Sequence, residues 1–439
     1  MNWFGGGETR QVGELRRLFT TFAYLVAKQG AVAVIGLAYW AVVTHLFAAR
    51  DVGLAAAAAS TALLLAAFGA LGIPLLVLAE IEPLDALERR VFFSTGNAIA
   101  AFVVLILAGA TMALSPLLGK SLQIIGHDPA TAGLFVVGSV ATMVGLTLDG
   151  AAVGLHRGAA QLWRGSLSSA LKLAVVGVLV LLSTRTSAGL IFAWALSLII
   201  AFLVCMPMLR LQPTPFGEGA LSHRMGLVRR FGTLSLQHHV LSLSISSVSF
   251  IVPLTATLLI SPSQVAYFSA AYLLASTMLI IPYLLALSLF AERSGDPGLL
   301  HRHVRRTLPF ALALIGAIVL VVELAAPYAL RIFGPAYAAN GTTALRILIL
   351  VGPAYVIKDH YVSICRAQHR MAHGSRIMAI GTSVEVAGSA LGGVLWGLTG
   401  ICVGWAISAS CEALFLFPAV LRVYHHAPAV ESDTGSKPD

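Results

Sequence analysis

The sequence predicts an all-α, polytopic membrane protein with about twelve transmembrane helices in two six-helix lobes around a central cleft. Three observations predict this fold. Of the 439 residues, 58% are hydrophobic and only 11% are charged, and the mean hydropathy is +0.88, so polar residues are too few to cover a water-soluble surface. Apolar stretches of membrane-spanning length recur along the chain, with short polar joints between them. The two halves of the chain also resemble each other.

The twelve predicted spans occupy nearly the whole chain. A hydrocarbon layer of about 30 Å needs about 20 apolar residues per helix, so little sequence is left for a domain outside the membrane. The spans delimit an N-terminal segment at 1–19, an N-terminal lobe at 20–209, a linker at 210–231, a C-terminal lobe at 232–424 and a disordered tail at 425–439. We place the spans at Thr20–Ala48, Leu54–Ala79, Val91–Leu114, Ala130–Leu155, Ser166–Ser183, Ala188–Met208, Gly232–Ile260, Val265–Ala291, Leu308–Leu330, Thr343–Cys365, Ile377–Leu398 and Ile401–Leu421.

The distribution of basic residues predicts the orientation of the chain. Cytoplasmic loops retain Lys and Arg, and most of the 28 basic residues fall on one side of the predicted spans. Both termini are therefore expected in the cytoplasm, in a multi-pass protein of the cytoplasmic (inner) membrane. The predicted cytoplasmic side carries Arg10, Arg16, Arg17, Arg89, Arg90, Arg157, Arg164, Arg210, Arg224, Arg229, Arg230, Arg293, Arg302, Arg305, Arg306, Arg366, Arg370, Arg376, Arg422 and Lys437, and the other side carries Arg50, Lys120, Arg185 and Arg331.

The net charge and the cysteines exclude several classes of function. A net charge of +9 is accounted for by the cytoplasmic arginines, so nucleic-acid binding is not expected. The four cysteines fall inside predicted spans and show neither a disulfide framework nor the spacing of a metal site. We expect no metal and no cofactor. The first span is too long for a cleavable signal sequence and is interpreted as retained.

The two halves repeat each other at an interval of about 215 residues. Span two and span eight each contain Ser-Thr, then Ile-Pro, then Ala-Glu. A basic pair, Arg89-Arg90 or Arg305-Arg306, is expected to open the next helix in each half. Asp149 in span four and Asp359 in span ten lie at similar distances before an arginine. Because six spans separate equivalent positions, the two lobes are expected to have the same orientation, related by an axis along the membrane normal.

Several motifs in order along the chain resemble those of a known transporter family. They are LFAARDVG after span one, LDGAAVGLHRG and LWRGSLSSALKL across spans four and five, AYFSAAYLLA and IPYLLALSLFAE in span eight, and RIFGPAYAANGTTALRIL leading into span ten. Together they resemble the Wzx-type flippases of lipid-linked oligosaccharides in the multidrug/oligosaccharidyl-lipid/polysaccharide (MOP) exporter superfamily. The resemblance implies a V-shaped bundle of two six-helix lobes in which spans one, two, seven and eight line the cavity.

Span seven carries a polar stripe. Its members recur at spacings of four, three, four and three, which places them on one helical face. One interpretation is a wetted cavity wall, which the histidine favours, and the alternative is serines that bond to their own helix or to a neighbouring helix. The stripe consists of Ser235, His239, Ser242, Ser246 and Ser249.

Lys28 in span one is a candidate for binding an anion. It lies about 12 Å from the cytoplasmic interface, at the depth of His239. A lysine inside a membrane lines water, contacts an anion or extends to the interface, and the sequence leaves the last two open. Lys28, with His238 or His239 when protonated, would hold the phosphate of a polyprenyl-linked sugar through charge-assisted hydrogen bonds.

For two further basic residues, an interpretation without substrate binding is also available. Arg50 is a candidate for receiving the headgroup at the outer end, and its alternative is a local pair with Asp51. Lys172, near the end of its span, is expected to extend to the interface. The expected partners are an anionic lipid-linked saccharide, membrane lipids, H⁺ or Na⁺, and polysaccharide-assembly proteins.

Carboxylates within the spans predict a site for a coupling cation. Ionised carboxylates in an apolar bundle must pair, protonate or bind a cation, or else they hydrogen-bond to neighbouring helices. Lys358 adjoins one of them in sequence, but consecutive helical residues point in different directions, so we do not expect it to be the partner of that residue. The candidates are Asp149, Asp359, Glu385 and Glu412.

The predicted function is a flippase that moves a lipid-linked oligosaccharide or related glycolipid across the cytoplasmic membrane by alternating access, with cation coupling as a hypothesis. The first alternative is a multidrug exporter of organic cations from the same superfamily. The second is a polytopic glycosyltransferase or polymerase. Such an enzyme needs acidic residues on a sizeable loop, whereas the longest joint, from Met208 to Phe231, contains only Glu218. The protein is therefore not expected to be an enzyme.

Overall fold

A computed structural model of the chain describes residues 34–155, 157–211, 248–288, 297–368 and 370–425, with the isolated helical residues Gly226, Gly232, His239 and Leu243. These residues form α-helices, one short 3₁₀ helix and connecting turns, and none of them lies in a β-strand. The predicted all-α fold is confirmed. The chain divides into two compact units, Met1–Leu243 and Ser244–Asp439, with the boundary inside the predicted seventh span.

Unit 1 contains eight described α-helices, and α6 packs against α2, α3, α4 and α8. Its buried core is apolar, and two acidic residues cap helices at its edges. Asp85 and Glu88 form a reciprocal capping box at the start of α4, and Asp128 accepts hydrogen bonds from the first turn of α6. The helices are α1 Val34–Leu46, α2 Ala49–Gly69, α3 Ile73–Glu80, α4 Ala86–Ala113, α5 Lys120–His127, α6 Pro129–Gly154, α7 Gly158–Leu181 and α8 Ser187–Met208.

Unit 2 contains six described helices, of which the last is a bent hairpin. Helix α13 packs against α10, α11 and α14, so residues on its different faces contact three neighbours. The helices are α9 Val248–Leu259, α10 Pro262–Ser288, α11 Pro297–Arg331, α12 Pro335–Ile349, α13 Gly352–Ala367 and α14 Met371–His425.

The described helices contain nine stretches that are long and apolar enough to cross a membrane, besides the shorter apolar helices Val34–Leu46 and Phe250–Leu259. One of the nine, α14, holds two predicted spans, because Trp396 and Gly397 leave the helical conformation at the predicted junction of spans eleven and twelve. The described part of the chain thus accounts for the predicted number of spans, with spans one and seven described only in part.

Two predicted spans are interrupted. Span two was expected as one helix, but α2 ends at Gly69 and α3 begins at Ile73. Leu71 (φ 51°) and Gly72 (φ 77°) are left-handed between them, and Pro74 cannot donate a hydrogen bond back across the break. Span ten is likewise divided into α12 and α13, with Pro353 at the start of α13. In contrast, α10 continues past the equivalent Pro282 of the second half.

Several helices begin earlier than predicted, among them α4, α7, α11, α12 and α14. Helix α7 starts at Gly158 rather than at Ser166, and α11 starts at Pro297 rather than at Leu308. Arg164 was expected in a cytoplasmic joint, and this expectation was wrong because the residue lies inside α7. The pair Arg305-Arg306 was expected to open a helix but lies within α11. Hydropathy marks where a helix becomes apolar, and a helix can begin with a polar turn or two before that point.

Candidate functional site: a buried charge cluster in unit 2

Three charged side chains meet in the interior of unit 2. Lys358 lies on α13, and Glu385 and Glu412 lie on the two limbs of α14. Their exposed fractions are 3%, 0% and 8%. The ammonium of Lys358 forms an ion pair with Oε1 of Glu385 and donates to Oε2 of Glu412 at 2.7 Å. We call Lys358, Glu385 and Glu412 the charge cluster.

Small residues bring the two limbs of α14 close enough for the carboxylates to meet. Gly397 takes a left-handed φ of 59°, so the chain reverses there and the limbs pack antiparallel. A Cβ at Gly388 or Gly392 would overlap the backbone of Gly404 or Gly400 on the other limb. Such close backbone contact is typical of small residues at spacings of four in membrane helices. Farther along the same interface, a Cβ at Gly381 would overlap the carboxylate of Glu412.

Two aromatic residues complete the surroundings of the charge cluster. Trp405 donates from Nε1 to Oε2 of Glu385 at 2.7 Å, and the hydroxyl of Tyr355 donates to the same oxygen at 3.4 Å. The Tyr355 ring also lies 4.8 Å from the Lys358 ammonium, a cation–π distance. Glu385 therefore accepts from three different side chains, and these contacts fix its carboxylate in one orientation.

The charges of the cluster do not balance. One ammonium faces two carboxylates, and Oε1 of Glu412 is buried with no hydrogen-bond partner among the described residues. A buried oxygen of this kind is costly unless it acquires a proton or another donor. The arrangement can therefore take up one positive charge without breaking the Lys358–Glu385 pair.

The other two predicted coupling residues lie elsewhere. Asp149 on α6 forms a two-pronged ion pair with Arg164 on α7, with Nε of Arg164 2.7 Å from Oδ1, so its charge is already matched. Asp359 follows Lys358 on α13 but is only partly buried, and it forms no ion pair among the described residues. The structure thus brings together Glu385 and Glu412, but not Asp149 or Asp359.

Most of the predicted substrate-binding residues lie outside the described residues. This applies to Lys28, Ser235, His238, Ser242 and Ser246. Ser249 lies in α9, but its side chain is also outside the description. His239 is helical and partly exposed.

The remaining basic candidates of unit 1 are described. Arg50 is exposed in the first turn of α2. The carboxylate of Asp51, its expected partner in the simpler interpretation, accepts a hydrogen bond from the backbone N–H of Ser187 at 3.0 Å. Lys172 places its ammonium 5.0 Å from the ring centre of Tyr39 on α1.

Sequence reasoning missed three members of this site. It treated Lys358 only as a neighbour of Asp359, and it did not consider Tyr355 or Trp405. A usable signal was present, because Gly400, Gly404, Ser408 and Glu412 recur every four residues and so place Glu412 on the close-packed face of its helix.

Solved structures with the same fold are known. A multidrug-resistance MATE-family transporter of the MOP superfamily, in an inward-facing conformation, matches with a TM-score of 0.62 and 14% identity over 90% of this chain and 100% of its own. The lipid II flippase MurJ matches with a TM-score of 0.62 and 13% identity over 93% of this chain and 90% of its own. A MOP-superfamily transporter from Pyrococcus furiosus, described as having a binding pocket of reverse polarity, matches with a TM-score of 0.53 and 15% identity over 90% and 94%.

The chain has the fold of the MOP-superfamily transporters. No protein-family model and no curated protein matches its sequence. The inward-facing multidrug-resistance transporter and the lipid II flippase match this chain with the same TM-score, so the fold alone does not distinguish these two classes of cargo.

We predict that Lys358→Ala destabilises the protein, because it leaves two buried carboxylates without their shared cation. Removing one partner of a buried ion pair costs about 3–5 kcal/mol. Thermal unfolding in detergent micelles would show a lower Tm. The triple variant Lys358→Met, Glu385→Gln, Glu412→Gln removes all three charges and should recover most of the loss. A triple variant less stable than Lys358→Ala would contradict this account.

We also predict that Gly381→Ala is destabilising, because the added methyl group overlaps the Glu412 carboxylate. Overpacking of this kind costs about 1–3 kcal/mol. The matched control is Gly316→Ala on α11, where a Cβ meets no atom within 4 Å. Unfolding should be shifted only by the first substitution, and equal shifts would show that the contact with Glu412 is unimportant.

Proposed function

We propose that the protein is a proton-coupled flippase that moves a lipid-linked oligosaccharide or related glycolipid, on a polyprenyl-phosphate-type carrier, across the cytoplasmic membrane by alternating access. The observation that carries the coupling part of this proposal is the unbalanced charge cluster in unit 2. A purely structural ion pair in an apolar bundle needs one charge of each sign. The second carboxylate is explained if it binds and releases a cation.

Glu412 is the member of the cluster that we assign to the exchangeable charge. Glu385 accepts from Lys358, Trp405 and Tyr355, whereas Glu412 accepts from Lys358 and leaves Oε1 without a described donor. Hydrogen bonds to the ionised form favour ionisation, so the carboxylate with fewer donors is the better place for a proton. A proton on Glu412 makes the cluster neutral.

A proton fits this site better than a metal cation. The ammonium of Lys358 already contacts one oxygen of each carboxylate. A sodium ion bound between the two carboxylates would have to displace this tethered cation, whereas a proton needs only one lone pair of Glu412. Loss of the proton gives the cluster a net negative charge inside an apolar bundle, which favours a conformation that admits water. That difference between conformations is what coupling requires.

The cargo part of the proposal depends on the sequence. The motif order resembles the Wzx-type flippases, and Lys28 with the histidines of span seven provides positive charge for a phosphate. The MurJ likeness supports a lipid cargo to the same degree that the MATE likeness supports a drug cargo. The sign of the cargo's charge separates the two, since a multidrug exporter of this superfamily carries organic cations and a lipid-linked sugar carries a phosphate.

We predict that Glu412→Gln, in proteoliposomes with an imposed pH gradient, abolishes gradient-driven transport and leaves binding of the lipid-linked sugar within about twofold of the wild type. The amide cannot exchange a proton at this position. Glu385→Gln should have the same effect on transport. The control is Glu323→Gln, since Glu323 lies 3.5 Å from Arg346 and is only half-buried. Normal gradient-driven transport by Glu412→Gln, or equal transport with a sodium gradient alone, would overturn the coupling proposal.

We predict that Lys28→Ala weakens binding of undecaprenyl phosphate by about tenfold or more, which corresponds to one lost charge-assisted hydrogen bond at about 1.5–3 kcal/mol. The purified protein would be titrated with undecaprenyl phosphate and, separately, with ethidium as an organic cation. Lys172→Ala is the control of equal charge. Tight ethidium binding without binding of the polyprenyl phosphate would favour the multidrug exporter.

A further inference from the structure

Unit 1 contains an apolar groove between α4, α6 and α8. Its volume is about 580 Å³, and all its lining side chains are apolar. Phe102, Leu105 and Val137 are exposed along it, so the groove opens to the surroundings of the helices. Because α4, α6 and α8 have the length and composition of membrane spans, those surroundings are lipid. The groove is lined by Phe102, Leu105, Val137, Val140, Ile199 and Phe202, among others.

Three arginines lie at one end of the same three helices. Arg90 lies in the second turn of α4, Arg157 follows the end of α6, and Arg210 follows the end of α8. The structure brings them together, since Arg90 donates from Nε to the carbonyl of Arg210 at 3.2 Å and Arg157 donates from Nη1 to the carbonyl of Met208 at 2.7 Å. We call Arg90, Arg157 and Arg210 the arginine cluster.

The arginine cluster retains the capacity to bind an anion. A guanidinium has five N–H donors, and the bonds above use one donor each from Arg90 and Arg157. Arg157 and Arg210 are exposed. The adjacent Arg89 is directed instead to the carbonyls of Ile81 and Glu82. Guanidinium donors with no partner among the described residues match the oxygens of a phosphate group.

Arg210 occupies a backbone position that favours glycine. Its φ is 58°, and it follows the last turn of α8, where the N–H of Leu211 bonds to the carbonyl of Met206 at 3.3 Å. This is the helix-ending geometry in which glycine is the usual residue. An arginine in this backbone conformation is less favourable than a glycine. The conformation of the turn therefore does not explain why an arginine occupies the position.

The distance between groove and arginine cluster fits a phospholipid. Along α8, Phe202 precedes Met208 by six residues, or about 9 Å. Along α4 and α6 the groove begins 11 residues from Arg90 and 13 residues from Arg157, or about 17 Å and about 20 Å. The interfacial layer between phosphates and hydrocarbon is about 5–8 Å thick in a bilayer. A phosphate on the arginines would therefore place the middle and lower parts of an acyl chain in the groove. Along α6, the residues from Val136 to Val144 provide about 12 Å of apolar surface for the acyl chain.

We propose that unit 1 binds one anionic glycerophospholipid of the leaflet on the arginine side, which the sequence predicts to be cytoplasmic. Its phosphate contacts Arg90, Arg157 and Arg210, and one acyl chain occupies the groove between α4, α6 and α8. Charge complementarity selects the occupant, because the cluster is positive while the groove is apolar throughout. This lipid is a resident ligand on the outer face of the unit and is distinct from the transported cargo.

The test measures the binding of phosphatidylglycerol and phosphatidylcholine to the purified full-length protein by native mass spectrometry, with lipids of identical acyl chains. We expect the wild type to bind phosphatidylglycerol at least tenfold more tightly. Arg210→Gly should reduce that preference at least threefold while its Tm stays at or above the wild-type value, since glycine suits the backbone there. Arg90→Gln combined with Arg210→Gly should reduce it further.

Two further variants separate the headgroup from the chain. Ala141→Phe fills the groove and should weaken binding of both lipids by a similar factor. The control of matched charge is Arg305→Gln combined with Arg306→Gln on α11, which removes the same two positive charges as the double variant and should leave the preference unchanged. Equal binding of the two lipids by the wild type would overturn the proposal. So would an equal loss in the α11 control, or a site that binds undecaprenyl phosphate but not phosphatidylglycerol. Transport need not change in any of these variants, so this test is independent of the proposed flippase activity.

Discussion

The structure depends on one constraint, which is that a charged side chain inside an apolar helix bundle needs a partner from another helix. Water cannot stabilise the charge there, and an uncompensated ion costs several kcal/mol. Asp149 meets Arg164 across α6 and α7, and Lys358 meets both Glu385 and Glu412 across α13 and α14. These contacts require particular helix neighbours, so the pairs help to specify which helices pack together. Glycines at Gly388, Gly392, Gly400 and Gly404 allow the close approach on which the second cluster depends.

The arginines at the ends of the helices act in the same way at the membrane boundary. The last carbonyls of a helix have no partner within it. Arg157 donates to the carbonyl of Met208, the last residue of α8, and Arg90 donates to that of Arg210 just beyond. Arg89 donates to carbonyls at the end of α3. The arginines whose positive charge predicts the orientation of the chain therefore also donate hydrogen bonds to carbonyls at or near the ends of helices. The same side chains serve both the charge asymmetry and the termination of the helices.

Composition and periodicity were sufficient to predict the fold class and most of the helices, because membrane-spanning helices need long apolar stretches whatever their neighbours are. The predictions for α6 and α8 were correct to within one residue at each end. The breaks at Gly72 and Pro353 were missed, since hydropathy does not change where the backbone does. The candidate site was predicted in part. Glu385 and Glu412 were identified by their burial in apolar sequence, but their partner Lys358 was not, because the contact joins residues 27 and 54 positions apart.

The two halves of the chain place their buried charges differently, and charge balance is the reason we assign the proposed coupling to unit 2. Asp149 and Asp359 occupy matching positions in the sequence repeat. In unit 1 the carboxylate is on α6 and the cation on α7, and the pair is neutral with one charge of each sign. In unit 2 the cation of the cluster is on α13 and both carboxylates are on α14. The first helix of the pair therefore contributes the positive charge in unit 2, whereas it contributes the negative charge in unit 1, and the cluster of unit 2 has one negative charge in excess. Protonation of Asp149 would break a complete ion pair, whereas protonation of Glu412 leaves the Lys358–Glu385 pair in place. Among the described residues, the cluster of unit 2 is thus the one that can exchange a proton without losing the contacts that hold its helices together.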